Sequence, residues 1–145
     1  MENLEQGILT QLNTKKYNFY CKQNYQNDIS MTSYRIKKKI NLVFIDLIVK
    51  KNNIDLILKE IDRFHNQNNE KKWKTYIIVG ITNEKINKKD LFYFNGECMF
   101  VSFLLFNNEA DEVYYYDKWI FALGLNFKKI VKEIKDIIIK AYIIK

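Results

Sequence analysis

The run Ile40–Val49, INLVFIDLIV, constrains this chain more than any other segment. Successive side chains of a strand point to opposite faces, and here both alternating sets are predominantly apolar. Such a strand needs cover on both sides, which makes it a central strand rather than an edge. Thr75–Thr82, TYIIVGIT, has the same character and is expected beside it.

Further strands are expected at Tyr17–Lys22, Leu91–Phe94, Met99–Phe106 and Val113–Tyr116. Asn95-Gly96 between two apolar runs predicts a hairpin, because both residues tolerate positive φ, and Asn107-Asn108 predicts the next turn. Three segments carry helical spacing. Leu4, Ile8, Leu9 and Leu12 share one face. Ile54, Ile57, Leu58, Ile61 and Phe64 share another, with Asn52 or Asn53 as cap and Asp55 near the positive end of the helix dipole. Phe127, Ile130, Val131, Ile134, Ile137, Ile138 and Ala141 form the longest stripe, with Asn126 as N-cap. Lys128, Lys129, Lys132, Lys135 and Lys140 lie mostly on the other faces. The order predicts an α+β fold in which residues 1–145 form a single domain. A mostly antiparallel sheet carries an N-terminal, a middle and a long C-terminal helix. This rhythm is similar to that of small α+β folds of the roadblock, longin or PAS-like kind, which serve many functions.

Several chemistries are excluded. The four glycines, Gly7, Gly80, Gly96 and Gly124, are too scattered for GxGxxG or GxxxxGK[ST]. No GxSxG elbow and no HExxH occurs. Cys21 and Cys98 are far apart and there is one histidine, so the local ligand pairs of a zinc site are missing. No metal or cofactor is expected. Both cysteines sit among aromatics and are expected to be buried free thiols. His65, in RFHNQNN, is expected on the surface at a helix end, where a protonated imidazole complements the dipole. The segment MENLEQGILTQLN lacks the basic and long apolar regions of a signal peptide, and no apolar run approaches the ~20 residues of a membrane span. The expected location is cytoplasmic, with no membrane partner.

Asp46 interrupts the central strand, and a buried carboxylate needs a partner. Simple alternation sets Leu42, Phe44, Asp46, Ile48 and Lys50 on one face, with Asp46 and Lys50 about 13 Å apart. An acid and a lysine on one strand is similar to metal-dependent nucleases of the PD-(D/E)xK type. That pattern has the lysine two residues after the acid, where Ile48 stands, and needs a second upstream acid, for which Asp28 is the nearby candidate. The resemblance implies a degenerate Mg²⁺-dependent centre.

Lys plus Arg number 24 against 17 Asp plus Glu, giving +7, and only Arg35 and Arg63 are arginines. A lysine-rich composition of this kind also follows from an AT-rich genome. The basic residues cluster at Arg35, Lys37, Lys38 and Lys39, at Lys71, Lys72, Trp73 and Lys74, and along the last helix. Lys15, Lys16 and Lys22 interleave with Tyr17, Phe19, Tyr20 and Tyr25. Such mixtures track phosphates and stack bases. The other notable block is Tyr114, Tyr115, Tyr116 and Trp119, beside Glu109, Asp111, Glu112 and Asp117. Amphipathic aromatics of this kind are enriched at protein interfaces.

The first functional expectation is a small non-enzymatic interaction module: an adaptor, accessory subunit or inhibitor of a bacterial or phage accessory system. It would bind another protein or a second copy of itself through Tyr114, Tyr115, Tyr116 and Trp119. The alternative is a nucleic-acid-binding protein using the lysine and aromatic clusters. A degenerate nuclease centred on Asp46 is the third.

Overall fold

Ile40–Val49 and Lys74–Thr82 are neighbouring inner strands, as their two-sided apolar patterns require. The computed structural model describes residues 2–15, 17–37, 39–67, 74–94, 99–116 and 124–143. The elements in chain order are α1 (Glu2–Thr14), β1 (Tyr20–Gln26), β2 (Ser30–Lys37), β3 (Ile40–Val49), α2 (Ile54–Gln67), β4 (Lys74–Thr82), β5 (Phe92–Phe94), β6 (Met99–Asn107), β7 (Glu112–Tyr115) and α3 (Gly124–Ile138). A π-helical turn, Ile139–Ile143, extends α3.

The strands form one seven-stranded sheet in the order β1-β2-β3-β4-β6-β5, with β7 also paired to β6. β1, β2 and β3 make an antiparallel meander, and β5 and β7 run antiparallel to β6. The two inner pairings, β3 with β4 and β4 with β6, are parallel. The sheet is therefore mixed, with its antiparallel pairs outside. The cause is α2, a crossover that returns the chain to the end of the sheet where β3 began. Strands in a parallel interior are buried on both faces and read as continuous apolar runs.

The three helices do not share one face. α1 and α3 cover Leu42, Phe44, Ile77, Val79, Leu104 and Phe106. α2 covers Val43, Ile45, Tyr76, Ile78, Val101, Phe103 and Leu105 on the other side. Leu4, Ile8 and Leu12 of α1 are buried, as are Phe127, Ile130, Val131, Ile134, Ile137 and Ile138 of α3. Ala141, expected in that stripe, is exposed. α3 begins at Gly124, so Asn126 lies within the helix and is not its N-cap.

β2, SMTSYRIK, has no counterpart in the sequence reading, because its serines, threonine and charges hide an alternating pattern. β1 starts at Tyr20 rather than Tyr17, because the backbone N–H groups of Lys15 and Tyr17 both donate to Leu12 O (3.0 and 3.2 Å) and hold the chain in a turn. The β5–β6 hairpin exists, but Phe94 pairs with Phe100, a register too wide for a two-residue turn. Asn95 and Gly96 lie outside the described residues.

β3 carries an irregularity. Phe44 pairs with Val79 and Ile48 with Ile81, so four positions on β3 span two on β4. This bulge turns Asp46 out to solvent, and Ile48 is 48% exposed. Asp46 is therefore not a buried charge, and the simple alternation expected for residues 42–50 fails there. The bulge also brings β3 methyls close to Gly80. A Cβ there would stand 2.9 Å from Ile45 Cγ2 and 3.1 Å from Val49 Cγ2. Among the described residues no helix is long and apolar enough to cross a membrane.

Candidate nucleic-acid interface

Three segments that are distant in sequence meet where β3, β4 and β6 begin. The chain leaves α1, turns through Lys15 and Tyr17, and enters β1, whose Tyr20 pairs with Arg35 of β2. The last residue of β2, Lys37, pairs with Ile40, so Lys37 and Lys39 stand at the β2–β3 turn, both exposed. Glu133 of α3 accepts a hydrogen bond from Tyr17. Lys128, Lys129 and Lys132, all exposed, lie within about one and a half turns of that contact. In segments 15–22, 35–39 and 124–133 Glu133 is the sole carboxylate. The acidic residues Glu109 and Asp111, in the turn between β6 and β7, and Glu112, the first residue of β7, are at the opposite end.

Aromatic rings brace the basic end. Phe19 meets Tyr34 edge-to-face at 6.1 Å, and Tyr34 meets Phe44 in the same way at 6.0 Å. Lys22 Nζ lies 5.7 Å from the centroid of the Tyr34 ring. The Tyr34 hydroxyl donates to Glu5 Oε2 at 3.1 Å. Burial first, then the Glu5 charge, pushes Tyr34 up to about 12. Tyr17 is likewise pushed up to about 12, by burial first and then by Glu133. Two of the glutamates on α1 and α3 are thus engaged with phenols.

The remaining expected site residues are distributed as follows. Arg35 is half-buried. Lys74 is 4% exposed on the α2 side, so it is not the surface contact its cluster suggested. As the first residue of β4 it pairs with Met99 and is drawn into the sheet. Lys38, Lys71, Lys72, Trp73 and Trp119 lie outside the described residues.

Tyr114, Tyr115 and Tyr116 are each half-buried. The Tyr114 hydroxyl accepts from Asn107 Nδ2 at 3.2 Å and packs toward the α2 side. Tyr115 packs toward the α1–α3 side, with Lys135 Nζ 5.4 Å from its ring centroid. Tyr116 stacks on Phe92 at 4.7 Å.

Two further expectations are corrected. His65 is 2% exposed, not on the surface, because the end of α2 lies over β4 and Nδ1 sits 2.7 Å from the Tyr76 hydroxyl. Cys21 is exposed, not buried, because it occupies a bulge in edge strand β1, where its φ is 52°. Cys98 lies outside the described residues.

The nuclease pattern finds little support. Asp28 is turned toward Arg63, Oδ2 to Nη1 3.5 Å. The buried Glu60 accepts from Arg63 at 3.1 Å and from the Asp28 backbone N–H at 2.9 Å. Sequence reasoning passed over Glu60, although an acid within the apolar stripe of α2 was a signal that it is buried with partners. Among the described residues no group of three or more His, Cys, Asp or Glu is placed to hold a metal ion. No family model, curated protein or solved structure matches this chain.

Proposed function

We propose that the protein binds nucleic acid through the end of the sheet that carries Lys15, Lys22, Lys37, Lys39, Lys128, Lys129 and Lys132. One observation carries the reading: the fold draws three lysine-bearing segments together, and the two carboxylates beside them, Glu133 and Glu5, are engaged by Tyr17 and Tyr34. Lysine supplies point charges that neutralise phosphates without the bidentate geometry by which arginine reads bases. The expected binding is therefore tolerant of sequence.

The test is the salt dependence of affinity for a labelled oligonucleotide. Log affinity should fall linearly with log salt, by about 0.7 to 0.9 per phosphate neutralised. Changing Lys37, Lys39 and Lys129 together to Ala should flatten that slope. Absence of binding at micromolar protein in low salt overturns the reading.

A second reading, protein binding, has its own observation. Phe94 is 62% exposed and lies 5.1 Å from Phe100, which stacks on Phe92 at 5.4 Å. Clustered aromatics at a sheet edge suit a protein partner. Phe94→Ser would then weaken capture of that partner, or self-association, without moving the thermal midpoint.

A further inference from the structure

Within the basic end, α1 and the segment entering β1 flank a shallow, open groove of about 420 Å³. It is lined by Leu9, Thr10 and Asn13 of α1 and by Asn18 and Phe19. The groove itself carries no charge, yet Lys15 follows Asn13 closely and Lys22 follows Phe19. Its chemistry is that of a ring site: two apolar side chains, a hydroxyl, and two carboxamides that each offer donors and an acceptor. Phe19 is braced rather than loose, its ring set edge-to-face on Tyr34, which is itself tied to Glu5. A prearranged ring of this kind loses little freedom on binding.

We propose that this groove receives one unpaired base of a single-stranded nucleic acid, stacked on Phe19 and hydrogen-bonded at its edge by Asn13 or Asn18. The flanking phosphates run past Lys15 and Lys22. The inference rests on the nucleic-acid reading above and narrows it to single strands. A neutral, amide-lined groove between cations matches a neutral base between phosphates, and a base becomes available to such a groove only when unstacked and unpaired.

Fluorescence anisotropy with a labelled twelve-residue thymidine strand, the same strand annealed to its complement, and the corresponding uridine strand tests this. The single strands should bind at least tenfold tighter than the duplex. Phe19→Leu should weaken single-strand binding by about 5- to 160-fold, the range for loss of one stacked base, with the salt slope unchanged. Asn13→Ala, at an exposed helix position that folding does not need, should weaken it at least threefold. Duplex binding should stay the same in both variants. Should no nucleic acid bind at all, the proposed function falls with this one. Equal affinity for duplex and single strand removes the groove proposal and leaves the basic end standing. Wild-type single-strand affinity in Asn13→Ala, or in a Phe19→Leu protein with native circular dichroism, does the same.

Discussion

Gly80→Ala should destabilise the protein, and should do so less in an Ile45→Ala background. Carbon atoms in contact settle at about 3.5–4.0 Å. An alanine methyl at position 80 would stand 2.9 Å from Ile45 Cγ2 and 3.1 Å from Val49 Cγ2. Ile45 and Val49 are both 0% exposed, in the layer under α2, where neither has space to withdraw. Overpacking of this kind costs about 1–3 kcal/mol. Replacing glycine within a strand recovers about 0.5–1 kcal/mol of backbone entropy. The net loss is therefore about 0–2.5 kcal/mol. Ile45→Ala alone removes a buried side chain and costs about 2–5 kcal/mol. In the double variant the methyl introduced at position 80 occupies part of the space that Ile45 vacated. The two losses should then fall short of their sum by about 1 kcal/mol or more, as expected of side chains in contact. Urea unfolding followed by circular dichroism measures all four corners of the cycle. Additivity within about 0.5 kcal/mol would refute the argument that the β3 bulge, rather than chance, requires glycine at position 80.

Two further outcomes follow from buried groups. Tyr76→Phe deprives the buried His65 Nδ1 of a hydroxyl 2.7 Å away and should cost about 1–3 kcal/mol in the same melts; a change under about 0.3 kcal/mol would mean the contact contributes nothing. Tyr17 and Tyr34 both titrate near 12 when folded, above the ordinary value of 10.0, so the folded state keeps phenol protons that the unfolded chain releases. Their contribution to stability is full below pH 10 and is lost as pH rises through about 12. Tyr17→Phe and Tyr34→Phe should each lessen the fall in stability between pH 10 and 12, and a fall identical to wild type would show that these phenols are not linked to folding.

The inner strands and all three helices were legible because burial writes a period into apolar residues. Ile57, Ile61 and Phe64 lie at helical spacing, and residues 42–45 are apolar on both faces. Strand direction was not legible, since two-sided burial fixes how a strand is covered and not which way its neighbour runs. β2 escaped because Met31, Ser33 and Arg35 face one side and Thr32, Tyr34 and Ile36 the other, with polar groups on both. Asp46 and His65 were misjudged for a shared reason. The exposure of one depends on a bulge and the burial of the other on where a helix end lands, and neither is a local property. The basic segments 15–22, 35–39 and 124–133 were visible singly; that they converge is a consequence of chain topology.

The pairing of α1 with α3 has a consequence during synthesis. A chain that ends at residue 116 holds every strand and the α2 that closes one face. The opposite face still shows Ile77, Val79, Leu104 and Phe106 beside a lone α1. A chain released without α3 would carry an open apolar sheet, a surface that chaperones and proteases recognise. Premature termination within α3 would make the exposure permanent, so such products should be cleared from the cell rather than persist as weakened protein.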